Sequence, residues 1–137
     1  MRFASFNQRK RKNMSDLNLN QFKENLAHFT GTEAYHKISL GKSVVTDGAK
    51  YVATELGAFW LFDSISSHIE FGDLPEQDMY FSKLTVNDSS AKLSIEDGNG
   101  KVLAQQDIEF TDFPLESIDI WSQFDGNKWI HLLPSEY

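Results

Sequence analysis

Glu33, Asp47, Asp63 and His68 are the side chains of this sequence whose types suit general acid–base chemistry, in which a carboxylate and an imidazole pass a proton to or from a reacting atom. Glu55, Asp63 and His68 fall along one helical segment. Asp63 and His68 are five residues apart, which sets them well round a helix from each other, and solvated helix charges account for such residues without catalysis. The remaining histidines, His28, His36 and His131, form no H-E-x-x-H or Cys/His array, so neither a metal nor a cofactor is read. His28 and His68 read as half-buried or capping groups. The chain has no cysteine, which removes disulfides, thiolate nucleophiles and Cys-ligated zinc. G-x-S-x-G, P-loop and strand-linked G-x-G-x-x-G motifs are missing too, so acyl transfer and nucleotide binding have no local support. The sequence therefore reads as non-enzymatic, with a small enzyme built on Glu33, Asp47, Asp63 and His68 as the alternative.

The elements that would position these residues follow from a change of hydrophobic period near Leu74-Pro75. Before it, Leu19, Phe22, Leu26 and Phe29 recur at helical spacing, with Ser15, Asp16 or Asn18 as cap and Gly31 as terminator. Residues 32–45 read as a loop holding one short strand or turn. Thr46-Asp47 caps the main helix, which carries Ala49, Val52, Leu56, Phe62, Ile65 and Ile69 and is interrupted at Gly57. That glycine either divides the helix or admits a neighbouring backbone, and Trp60 and Phe62 are buried in both cases. Gly72 and Pro75 close the helical half.

After Pro75, five strands are predicted as an antiparallel meander: Met79–Asn87, Ala91–Glu96, Lys101–Phe110, Ile118–Phe124 and Lys128–Leu133. The turn Asp97-Gly98-Asn99-Gly100 sets Ile95 opposite Val102, Leu93 opposite Ala104 and Glu96 opposite Lys101. A three-residue loop at Asp125-Gly126-Asn127 sets Ile120 against Leu132 and Ser122 against Ile130. Trp121, Gln123, Trp129 and His131 then share the other face as a candidate contact patch, with packing beneath a loop or the C-terminus as the alternative. The expected fold is α+β, N-terminal helices on one face of a five-stranded C-terminal sheet.

Length and charge bound the rest. A chain of 137 residues has room for one domain and one core, expected over residues 16–137. Residues 1–15 are expected to form a basic tail, because Arg2, Arg9, Lys10, Arg11 and Lys12 are unaccompanied by acids there. From Met14 onward eight basic residues face 20 acidic ones, a net of −12. Arg9, Lys10, Arg11 and Lys12 are the one feature suited to nucleic acid, although an upstream-start extension explains them as well. The longest apolar run, Ala58–Phe62, is far short of a membrane span, and no apolar stretch follows the basic residues as in a secretory signal. A cytoplasmic location is expected, without membrane contact. The scattered acids of the strand half, among them Asp107, Asp112 and Asp119, either keep the surface soluble or imitate a phosphate backbone that occupies a nucleic-acid-binding partner.

Six blocks in order carry a resemblance: Phe29-Thr30-Gly31-Thr32-Glu33, Thr46-Asp47-Gly48, Gly57-Ala58-Phe59-Trp60-Leu61, Glu96-Asp97-Gly98-Asn99-Gly100, Phe110-Thr111-Asp112-Phe113-Pro114 and Leu132-Leu133-Pro134-Ser135-Glu136-Tyr137. Over residues 17–137 the chain resembles a family of short bacterial and mobile-element proteins known as domain of unknown function 6876. The resemblance implies no activity, substrate or catalytic residue. Most of the blocks sit at caps and turns, where backbone geometry dictates the residue. Glu33, Trp60, Asp63, Asp112, Glu136 and Tyr137 are those that geometry does not demand. Trp121, Trp129, His131, Asp112, Glu136 and Tyr137 are taken as binding candidates for a protein partner or a second copy of the chain.

Overall fold

The computed structural model describes residues 16–38 and 41–137. The expected tail of residues 1–15, with Arg9, Lys10, Arg11, Lys12 and the cap at Ser15, lies outside the described residues.

Helix α1 (Asp16–Leu26) buries Phe22 and leaves Leu19 and Leu26 partly buried against the core. It ends at Leu26 rather than at Gly31. The His28 N–H bonds to the Asn25 carbonyl and the Phe29 N–H to that of Leu26, so the last turn tightens and stops the helix. Phe29, outside the helix, still reaches the Tyr51 ring at 5.2 Å, and Phe22 stacks on the same ring at 5.2 Å.

Helices α2 (Asp47–Glu55) and α3 (Phe59–Phe71) are the two parts of the main helical segment. The Ala49 N–H donates to Thr46 Oγ1 at 3.3 Å, which makes Thr46 the N-cap of α2. Gly57 divides the two helices by its own conformation, φ +61°, with no heavy atom within 4 Å of the place a Cβ would take. The Ala58 N–H returns to the Ala53 carbonyl at 2.8 Å, the long bond of a glycine-terminated helix end.

The strands are β1 (His36–Lys37), β2 (Ser43–Val45), β3 (Met79–Asn87), β4 (Ser90–Glu96), β5 (Val102–Ile108), β6 (Ser117–Phe124) and β7 (Trp129–Leu132). They form one seven-stranded mixed sheet in the order β1-β2-β7-β6-β3-β4-β5. The five-stranded meander is thus corrected in two ways. Strand β6 pairs with β3 instead of β5, and β2, from the segment read as loop, joins β7 in parallel. Residues 109–116 make the first change possible by carrying the chain over the β3–β4 turn, where the Thr111 N–H bonds to the Ser89 carbonyl. On the far side of that turn Leu84 meets Ile118 and Ser82 meets Ile120, all buried.

Both hairpin registers also differ from the reading. The Asp97 N–H bonds to the Lys101 carbonyl, leaving Gly98, Asn99 and Gly100 in a loop one residue longer than expected. Ile95 therefore faces Ala104, Leu93 faces Gln106, and a bulge at Leu103 absorbs the slip before Glu96 faces Val102. The Asp125 N–H bonds to the Lys128 carbonyl, leaving Gly126 (φ +98°) and Asn127 in a turn one residue shorter. A one-residue shift moves every side chain to the opposite face. Trp121 pairs with Leu132 and Ser122 with His131, so Trp121 and Gln123 do not share a face with Trp129 and His131. Ile120 and Leu132 are both buried, at 1% and 4%, but on opposite faces.

Helices α2 and α3 cover one face of the sheet. Leu61, Phe62 and Ile65 of α3 pack with Leu84, Leu93 and Ile120, and Phe113 from the crossover segment closes the layer, all at 1% exposure or less. Helix α1 joins this core through Phe22 and its contact with Tyr51 of α2.

Candidate functional site

The polar residues gather at three places on the helix side. The first is the N-terminus of α2. Glu136, in the 3-10 turn Pro134–Glu136, accepts from Thr46 Oγ1 at 2.5 Å, the Gly48 N–H at 2.9 Å and the Leu133 N–H at 3.0 Å. A carboxylate at a helix N-terminus meets unpaired N–H groups and the positive end of the helix dipole. A Cβ at Gly48 would lie 2.7 Å from the Glu136 carboxyl carbon, so the seat requires glycine there. Local cap and turn geometry does not demand Glu136 in the sequence; its long-range contacts give it a capping duty all the same.

Asp47 stands beside that seat. Its Oδ1 lies 2.7 Å from His36 Nε2, its Oδ2 accepts from the Glu33 N–H at 2.9 Å, and its own N–H donates to Thr32 Oγ1 at 2.9 Å. The His36 ring, and then the Glu33 N–H, hold the Asp47 carboxyl below the usual carboxylate range. Of the four acid–base candidates, Asp47 and Glu33 are brought together, but Glu33 takes part through its backbone. No sequence spacing pairs Asp47 with His36; the two-residue strand β1 does so by fixing His36 opposite Val45, just before the α2 cap.

The second place is α3. His68 Nε2 lies 2.8 Å from Gln106 Oε1 on β5, while Asp63 sits earlier on the same helix. Glu70 reaches the other way, accepting from the Lys42 N–H at 2.8 Å and from Ser43 Oγ at 2.6 Å. Trp60 packs edge-on against Phe113, and Asp112 lies in the crossover segment, partly buried.

The third place is a buried cluster of Ser66, His131 and Ser122, each at 0% exposure. Ser66 Oγ is 2.7 Å from His131 Nε2 and Ser122 Oγ is 2.7 Å from Nδ1. A neutral imidazole has one donor and one acceptor nitrogen, and one hydroxyl answers each. Burial pushes the His131 pKa down to about 3. Ser and His at this spacing resemble a nucleophile–base pair, yet with no exposed atom they meet no substrate in this conformation. The one-residue register shift hid this cluster from the sequence, since it turns His131 inward.

The face of the sheet turned away from the helices is different in kind. Phe81 and Trp121 face each other across β3 and β6, ring centroids 5.3 Å apart and nearly perpendicular. Tyr137, 70% exposed, sets its ring against Trp121 at 5.4 Å. Trp129, by contrast, is on the helix side between Tyr80 and Phe124. At the β1–β2 end of the far face, Tyr35, Lys37, Lys42, Val44, Asn127 and Lys128 line a pocket of about 480 Å³. Among the described residues no group of three or more His, Asp or Glu is placed to hold a metal ion, and no helix is long and apolar enough to cross a membrane.

A mixed sheet backed by helices, with hydrogen-bonded carboxylate and imidazole groups at the helix side and aromatic rings on its far face, defines the class of fold. The chain belongs to the family of unknown function DUF6876, whose model matches residues 20–137. Its fold is similar to that of the protein of unknown function from Enterococcus faecalis seen in a crystal structure, with a TM-score of 0.54 and 24% identity, covering 70% of this chain and 90% of that one. The chain matches no curated protein.

Proposed function

We propose that this chain is a non-enzymatic protein-interaction module that binds its partner on the far face of the sheet, around Phe81, Trp121 and Tyr137. The observation that carries the reading is the run of three rings, Phe81 on Trp121 and Trp121 on the exposed Tyr137. Aromatic residues bury large areas at small conformational cost and anchor interfaces more often than other types. The internal commitment of Glu136, Asp47, His68 and His131 adds support, because each has a bonding partner within the chain. Imitation of a phosphate backbone has weaker support: Lys83 and Lys92 interrupt the acids of the β3–β5 region, and Lys92 lies 3.9 Å from Asp107.

The test is site-specific photocrosslinking in the native host, with a photoreactive phenylalanine at Tyr137 and, as control, at Lys50 on the exposed side of α2. A discrete adduct from position 137, abolished by Trp121→Ala and missing from position 50, is expected. Equal adducts from both positions, or an adduct indifferent to Trp121→Ala, would overturn the assignment of this face.

A further inference from the structure

We infer that the pocket between the β1–β2 strands and the β6–β7 turn is a binding site for a small molecule bearing an oxyanion, a phosphate or a carboxylate, held by Lys37, Lys42 and Lys128. The inference is independent of the aromatic surface.

Eight of the chain's 13 Lys and Arg follow Asn13, and three of these eight line this one pocket on a body otherwise dominated by acids. Like charges are brought close at a cost unless a counter-charge joins them. Among the described residues only one of the three ammonium groups has a carboxylate within 4 Å, Lys128 with Asp125. Glu70 bonds the Lys42 N–H and Ser43 Oγ and makes no ion pair with a pocket lysine. Both Asp47 oxygens are taken by His36 and the Glu33 N–H. Asp125 accepts from the Asn127 and Lys128 N–H groups through Oδ1 and from Lys128 Nζ through Oδ2 at 2.9 Å, so it answers one ammonium of the three. Lys37 and Lys42 have no side-chain ion pair among the described residues.

The rest of the pocket suits a ligand with a body as well as a charge. Tyr35 is 53% exposed, its ring 6.0 Å from Lys128 Nζ, and Val44 adds an apolar side chain to the lining. A volume of about 480 Å³ falls in the range of small-ligand sites. Ammonium groups bind oxyanions through charge-assisted hydrogen bonds, strong at low ionic strength and weakened by salt.

The experiment follows backbone amide shifts of the full chain during titration with inorganic phosphate and, separately, with succinate. Saturable shifts at Lys42, Ser43, Asn127 and Lys128 are expected with at least one of them, and the anion that saturates first identifies the source. Lys37→Glu combined with Lys42→Glu should weaken that binding by about tenfold or more, while Lys83→Glu on β3 leaves it unchanged. The amide spectrum itself reports whether the double variant folds; if it does not, Lys37→Gln on the exposed strand β1 takes its place, with a smaller weakening expected. No saturable shift with either anion, or binding by the folded Lys37/Lys42 variant equal to the parent's, overturns the site.

Discussion

On the helix side of the sheet, Ser66, His131 and Ser122 lie fully buried and satisfy one another, and Glu136 closes the N-terminus of α2. On the far side, Phe81, Trp121 and Tyr137 pack edge to face, and Lys37 and Lys42 have no side-chain ion pair among the described residues. A buried polar group without a partner costs about 1–3 kcal/mol, so folding selects against loose ends on the covered face. An exposed group meets no such demand. The difference teaches that the hydrogen-bonded Ser–His and carboxylate clusters of the covered face are tied into its packing, whereas the far face carries groups that packing leaves exposed.

The strongest way to break that comparison is to act on His131. In His131→Ala both serine hydroxyls lose their partner and a cavity opens, for an expected loss of about 3–5 kcal/mol in urea unfolding. The pH dependence gives a sharper signature. Burial lowers the folded-state pKa from 6.5 to about 3, so between these values the unfolded chain binds a proton that the folded chain refuses. Stability is therefore full above pH 6.5 and falls as pH drops, by up to about 1.4 kcal/mol per unit. A His131→Leu variant should lose that slope. If its unfolding free energy falls as steeply between pH 6.5 and 4 as the parent's, His131 is not the buried neutral group described. Below pH 4 a further loss is expected in both proteins. Asp47, held down by His36, and Asp125, held down to about 2 by Lys128, contribute stability above their unfolded pKa that disappears as they protonate.

The next effect in size concerns Glu136. Glu136→Ala frees Thr46 Oγ1 and two backbone N–H groups, and loses a favourable charge at the α2 N-terminus. Loss of a charged capping partner should cost about 2 kcal/mol. Thermal unfolding checks this: a melting temperature within a degree of the parent's would mean that Glu136 is free for a ligand, and the division between the faces would fail there.

Much of this layout was legible in the sequence, and the part that was not has an identifiable cause. Strand β3 has the bounds its alternation predicts, Thr46 is the cap that its type and place suggest, and Gly57 breaks the main helix. These depend on neighbours within a few residues. Pairing does not. Whether a glycine turn holds two residues or three is settled by single bonds, the Asp125 N–H to Lys128 and the Asp97 N–H to Lys101, and each choice slid a hairpin by one position. That slide hid the inward turn of His131. Strand β2 has only three residues and gains its order from β7, more than 80 positions later, so no local pattern marks it. The Asp47–His36 pair and the Glu136 seat likewise join residues whose meeting depends on the completed sheet.

Ser82 offers the smallest effect and the finest test. On the helix side of β3 its side-chain oxygen is buried and, among the described residues, lacks a hydrogen-bond partner. If folding penalises unanswered polar groups there, Ser82→Ala should remove a burden and stabilise the chain. The gain should be about 0.5–1 kcal/mol, since a desolvated hydroxyl is lost while the small methyl leaves little void. Ser94→Ala on β4, partly exposed and on the far face, should stay within about 0.5 kcal/mol of the parent. Chemical denaturation of both variants at pH 7 decides the matter. A destabilised Ser82→Ala would mean that this hydroxyl has a partner, such as an enclosed water, and that the helix side follows its rule without exception.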